Sequence, residues 1–83
     1  TTPIISLTLA DKQVFSAADG ALLICLEREL SLEVIEAMVA RDPFMMLCLD
    51  AGFEGKDELK VNAMQTVRAH NRNRQSSISL KVV

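Results

Sequence analysis

Hydrophobic and polar positions alternate from Ile4 to Leu9, with Ile5, Leu7 and Leu9 on one side, and this predicts a strand. Ala10-Asp11-Lys12 is a polar break. Gln13 to Ser16, carrying Val14 and Phe15, predicts the returning strand of a hairpin. Ala18-Asp19-Gly20 reads as a turn, because Gly supplies a permissive backbone and Asp bonds locally. Ala21 to Leu26 is apolar throughout, the pattern of a strand covered on both faces, and Glu27-Arg28-Glu29 ends it. Ser31 is a good N-cap for a helix over 32–41. That helix has Leu32, Ile35, Met38 and Val39 on one stripe and Glu33 and Glu36 near its start, where the macrodipole favours acids. Asp42-Pro43 stops it, since a residue before proline is pushed out of the helical region.

The second half repeats the alternation of strand and helix without repeating the sequence. Phe44 to Leu49 is another unbroken apolar run, closed by Asp50, and 51–55 is a glycine-bearing loop. A second helix is predicted over 57–70, with a stripe of Leu59, Ala63 and Val67 widened by Val61 and Met64. Asn71 to Ser77 is wholly polar and reads as a loop. Ile78, Leu80 and Val82 then alternate with Ser79 and Lys81, as in an edge strand. The predicted fold is α/β: a small three-stranded parallel sheet in β-α-β-α-β order with right-handed crossovers, two helices and an N-terminal β-hairpin. Residues 1–83 form a single domain, with the hairpin in 1–18 and the β-α-β-α-β unit in 19–83, and the chain reads as a fragment of a larger protein.

Composition narrows the class. The chain has 83 residues, 49% of them hydrophobic and 24% charged, which is globular and not disordered composition. With no Trp and no Tyr, the core is built from Leu, Ile, Val and Met, with Phe15, Phe44 and Phe53 its only rings. A domain of this size buries only about 60–65% of its unfolded surface, so its stability margin is thin. No basic segment followed by an apolar run marks a signal peptide, and no apolar stretch reaches the ~18 residues that span a bilayer. A cytoplasmic location follows as the expectation, with no membrane partner. Cys25 and Cys48 each sit inside an apolar run, where a free thiol packs as a small hydrophobe. Their spacing does not suit zinc, and a reducing compartment argues against a disulfide. A net charge of −2 argues against a whole domain devoted to gripping phosphate, while leaving room for a local basic patch.

Candidate chemistry is sparse. In an open parallel sheet, functional groups gather at the carboxyl ends of the strands. That edge offers Glu27, Arg28 and Glu29, then Asp50, Phe53 and Glu54. Asp50 can in principle hold a metal, act as a base or accept a phosphoryl group, though such a residue more often caps a helix or bonds loop amides. Asp50, Glu54, Asp57 and Glu58 make an acidic group that could hold Mg²⁺ beside a phosphate-bearing substrate. Asp57 and Glu58, however, fall in a first helical turn, where acids are favoured without a ligand. Gly52 and Gly55 bracket a tight loop, and neither a Walker-type nor a dinucleotide-type glycine pattern is present. Asn62, next to the helix stripe, is expected to bond a carbonyl of segment 50–55. His70 lies in a last helical turn with no Ser or Cys placed to pair with it. Arg68, Arg72 and Arg74 form the one basic concentration, a candidate contact for nucleic-acid phosphates that lacks interleaved aromatics for stacking bases. No nucleophile–base set, metal constellation or cofactor fingerprint emerges, so the expectation is no catalytic, cofactor-binding or metal-binding residue within this chain.

From Asp19 onward the chain resembles the C-terminal region of the modification (Mod) subunit of type III restriction–modification systems, which are adenine-specific DNA methyltransferases. The likeness runs through Asp19 to Glu27, Leu30 to Ile35, Leu49 to Ala63 and Ser79 to Val83. Its most specific part is Leu49-Asp50-x-x-Phe53-x-Gly55-x-Asp57-x-Leu59-Lys60-x-Asn62. The family usually has Asn at the position of Lys56 and a shorter loop than 71–77. The resemblance implies a parent that uses S-adenosylmethionine to methylate the exocyclic amine of adenine, with its Asp-Pro-Pro-Tyr and Phe-x-Gly-x-Gly motifs elsewhere, since this chain has neither. It implies an accessory or assembly role here. The partners would be the rest of the methyltransferase, a second Mod chain, the restriction subunit or the DNA backbone. The rival expectations are a stand-alone nucleic-acid-binding or protein-interaction module using Arg68, Arg72 and Arg74, and a small enzyme or phosphoacceptor centred on Asp50.

Overall fold

A computed structural model describes residues 4–83; the first three residues of the expected hairpin range lie outside it. The chain folds as β1 (Ile5–Leu9), β2 (Lys12–Ala17), β3 (Leu22–Cys25), α1 (Leu32–Ala40), β4 (Met45–Cys48), α2 (Asp57–Arg74) and β5 (Ser79–Val82), with short 3₁₀ turns at Ala18–Gly20 and Asp50–Phe53. β1 and β2 pair antiparallel with Leu9 opposite Lys12, across a two-residue turn in which Ala10 and Asp11 both have positive φ. Positive φ at both turn residues matches the right-handed twist of the flanking strands.

The sheet differs from the expected one in extent. All five strands form one mixed sheet in the order β1-β2-β3-β4-β5, not a three-stranded parallel sheet with an added hairpin. β2 pairs antiparallel with β3, and β3–β4 and β4–β5 are parallel. The reason is the length of the β2–β3 connection. The 3₁₀ turn and Ala21 span too few residues for a crossover, so the chain can only turn back beside itself. Asp19 (φ 57°) and Gly20 (φ 90°) take the left-handed backbone there.

α1 begins at Ser31, whose hydroxyl accepts the Val34 amide at 3.4 Å. It ends as Asp42 turns left-handed (φ 53°) ahead of Pro43. Its apolar stripe buries Val34, Ile35, Met38 and Val39. α2 is longer than its hydrophobic pattern predicted: residues 71–74, expected as loop, continue the helix to Arg74. Nothing in Asn-Arg-Asn-Arg breaks a helix, and polarity alone does not stop one when one side stays anchored. Gln75, left-handed at φ 54°, closes it, and the Gln75 and Ser76 amides both donate to the Asn71 carbonyl.

Two crossovers of one hand, each stepping the sheet in the same direction, lay both helices on the same face. The core fills that single interface: Val14 of β2, Leu23 and Cys25 of β3, Met46 and Cys48 of β4, the α1 stripe, and Ala63 and Val67 of α2. The opposite face has no cover among the described residues, and Leu22, Ile24, Met45 and Leu47 are only half-buried there. The expectation that the two apolar runs are covered on both sides therefore holds for one side of this chain. Val61 and Met64, expected to widen the α2 stripe, are 52% and 41% exposed, because among the described residues no further layer meets that side of the helix. No described helix is long and apolar enough to cross a membrane.

Candidate functional site

The stretch 49–62 lies at the carboxyl edge of β4, where it meets the loop that follows β3. Its residues hold those two loops together. The Leu30 amide donates to the Gly52 carbonyl at 3.3 Å, and Lys56 Nζ reaches the Leu30 carbonyl at 3.4 Å. Gly52 itself is buried, and a Cβ there would stand 2.6 Å from Leu30 Cδ1 and 2.9 Å from the Glu27 carbonyl oxygen. Phe53, 2% exposed, drops its ring into the core, and Gly55 (φ +71°) turns the chain into α2. Asp57 opens that helix, and Leu59 packs against the core from its first turns.

Asp50 is not a free carboxylate at a strand end. Its Oδ1 accepts from Lys60 Nζ at 3.2 Å, an exposed pair between the loop and α2. Among the described residues no three His, Cys, Asp or Glu side chains gather closely enough to hold a metal ion. Asn62 departs from expectation: it is half-buried, but no hydrogen bond joins its side chain to segment 50–55 among the described residues; its main-chain carbonyl accepts the Thr66 hydroxyl at 2.8 Å. The Asn that does this kind of work is Asn71, inside the stretch read as loop. Its Nδ2 donates to the Ile78 carbonyl at 3.0 Å and its Oδ1 accepts the Ile78 amide at 2.9 Å. This two-point grip sets the start of β5, and a polar stretch of sequence has no periodicity to signal it. Asn71→Ala is expected to destabilise the fold by about 1–3 kcal/mol, the cost of leaving buried main-chain groups of Ile78 unpaired. Urea unfolding of the variant measures it.

A second cluster, absent from the sequence expectations, joins the two helix ends. His70 Nε2 lies 3.0 Å from Asp42 Oδ1, beside a groove of about 550 Å³ lined by Glu36, Thr66, Arg74 and Ser76. Hydrogen bonds from Ser76 and then His70 hold the Asp42 carboxyl below its ordinary value. His70 is thus a latch between α2 and the end of α1. It faces a carboxylate, and among the described residues no nucleophile pairs with the imidazole.

The three arginines do not form one patch. Arg68 and Arg72 are four apart, hence neighbours on one side of α2, and both are exposed. Arg74, two residues on, points to the other side, where it lines the groove with Asp42.

Cys25 and Cys48 are register partners on adjacent parallel strands, both free and fully buried under the helices. Burial raises the Cys25 thiol. Burial, and then the neighbouring Cys25, push Cys48 up to about 12 from 9.0. In the unfolded chain Cys48 loses its proton near 9, whereas the folded state keeps it. Stability is therefore full below pH 9 and falls as pH rises from 9 toward 12. Unfolding free energies measured across that window should decline in the native chain and decline less in Cys48→Ala.

Comparison of the chain with protein-family models, with curated proteins and with solved structures returns no match.

Proposed function

We propose that this chain is a non-catalytic accessory domain from the C-terminal region of a type III, site-specific DNA adenine-N6 methyltransferase, serving its assembly. The observation that carries the reading is the division of labour within 49–62. Asp50 and Lys60 pair, Phe53 fills the core, Gly52 and Gly55 shape the turn and Asp57 opens α2. Apart from Asn62, the most specific motif of the resemblance has structural work within this chain, which supports an accessory role. S-adenosylmethionine and adenine would be handled by the rest of the parent, with the Mod dimer, the restriction subunit and the DNA backbone as the remaining partners. The test is the full coding sequence and its product. The parent should encode an Asp-Pro-Pro-Tyr methylase upstream and, without residues 1–83, still bind S-adenosylmethionine while losing subunit association. Intact assembly after the deletion overturns the reading.

One observation favours a second reading, a nucleic-acid-binding module. Arg68 and Arg72 stand side by side and exposed on α2, placed for adjacent phosphates. Salt-dependent DNA binding by the isolated chain, abolished in R68A/R72A, would establish it; no binding at low salt would dismiss it.

A further inference from the structure

Cys25 and Cys48, the only cysteines of the chain, are the last residues of β3 and β4, and the ladder between those strands ends at their pair. Both side chains point to the covered face, where both thiols are fully buried in the core. Strands about 4.8 Å apart bring the two Cα atoms within the ~4.4–6.8 Å that a disulfide spans. Side chains standing side by side on parallel strands hold their Cβ atoms at about the same spacing, a little beyond the ~3.5–4.5 Å of a relaxed disulfide. Closing the bond therefore draws the strand ends together by roughly half an ångström. The end of a ladder gives more easily than its middle, since past Cys25 no pairing with β4 resists. A disulfide made in this way is strained, and strain makes it easier to reduce.

We propose that Cys25 and Cys48 are a redox pair, reduced at rest and oxidised by a hydroperoxide to a reversible disulfide that staples the carboxyl ends of β3 and β4. Burial raises the Cys25 thiol, but a main-chain hydrogen bond at Glu27 works against that rise. Burial and then Cys25 both raise Cys48, so Cys25 is the first to react. The Cys25 thiolate attacks one peroxide oxygen, the O–O bond breaks, and the departing oxygen takes up the proton that the thiol gave up. Cys25 is then a sulfenic acid. The Cys48 sulfur attacks the sulfenic sulfur, the S–S bond forms as the S–O bond breaks, and the released hydroxide leaves as water with the Cys48 proton. Two thiols lose two electrons and the peroxide gains them; hydrogen peroxide leaves as two waters. Entry is past the loops that directly follow the two cysteines, residues 26–31 and 49–56. These loops are joined by the Leu30–Gly52 and Lys56–Leu30 hydrogen bonds of 3.3 and 3.4 Å, and their opening sets the rate. Burial then works for the pair, because the group beside the new sulfenic acid is the neighbouring thiol and not a second oxidant.

Peroxide treatment of the folded native chain, without denaturant, tests it. After quenching, free thiols counted with N-ethylmaleimide in denaturant should fall from two to none, at a rate independent of protein concentration. A non-reduced digest analysed by mass spectrometry should contain a peptide joining Cys25 to Cys48. Millimolar reduced glutathione should then restore both thiols, as expected of a strained bond and not of a permanent structural one. In Cys25→Ser and Cys48→Ser the remaining sulfur should instead take up oxygen or stay a thiol, with no intramolecular link. Peroxide that leaves both thiols of the native chain free overturns the proposal. So does oxidation of either sulfur to sulfinic acid without a Cys25–Cys48 link, a link that forms only in urea, or a link that glutathione fails to open.

Discussion

Gly52→Ala is expected to lower the unfolding free energy by about 3 kcal/mol, the upper part of the range for forcing a methylene into a filled site. The added Cβ would meet Leu30 Cδ1 at 2.6 Å and the Glu27 carbonyl oxygen at 2.9 Å. Leu30 is itself buried at 2% exposure and cannot swing out without opening the core, and the Glu27 carbonyl belongs to the backbone leaving β3. The clash therefore pushes apart the two loops that the Leu30–Gly52 hydrogen bond joins. Gly55→Ala separates this effect from backbone strain. Gly55 has a positive φ (+71°) but open space around it, so its substitution should cost only about 1–2 kcal/mol, the left-handed penalty. Urea denaturation of the two variants checks the order. A Gly52→Ala no less stable than Gly55→Ala would mean that the two loops are not held in contact as described.

Leu23→Ala should cost about 2–5 kcal/mol, the range for deleting a fully buried Leu side chain in a core that relaxes only in part. Leu23 is 0% exposed, sits mid-β3 between Ser16 and Met46, and faces the helices. Against a typical total of 5–15 kcal/mol, a loss at the upper end leaves a chain of this size barely folded. Leu47→Ala, on the bare face of β4, should cost clearly less in the isolated chain, because a half-exposed side chain leaves water only in part on folding. Thermal unfolding of the pair reads the asymmetry of the sheet directly. Equal losses would mean that the bare face is covered.

The local signals in the sequence were sufficient for much of this architecture. Ser31 capping α1, Asp42-Pro43 ending it, the Leu59–Ala63–Val67 stripe and the alternation over 78–82 all stand in the structure where the chain's own chemistry put them. Each is decided within a few residues, by a cap, a steric exclusion or a periodicity. The two apolar runs likewise identified the parallel strands and the buried thiols.

Other features depend on which distant residues meet. Joining of the hairpin to the main sheet, the placement of both helices on one side and the exposure of Val61 and Met64 follow from connection length and crossover hand, which no hydrophobic pattern records. The same holds for the partners of polar groups. Asp50 with Lys60, His70 with Asp42 and Asn71 with Ile78 are pairs chosen by packing, 7 to 28 residues apart in the chain. Composition and periodicity settled what each segment could become, because those are one-dimensional properties. Which carboxylate is paired, which asparagine is anchored and which face stays bare were settled only when the layers closed, because hydrogen bonds and burial are relations between surfaces.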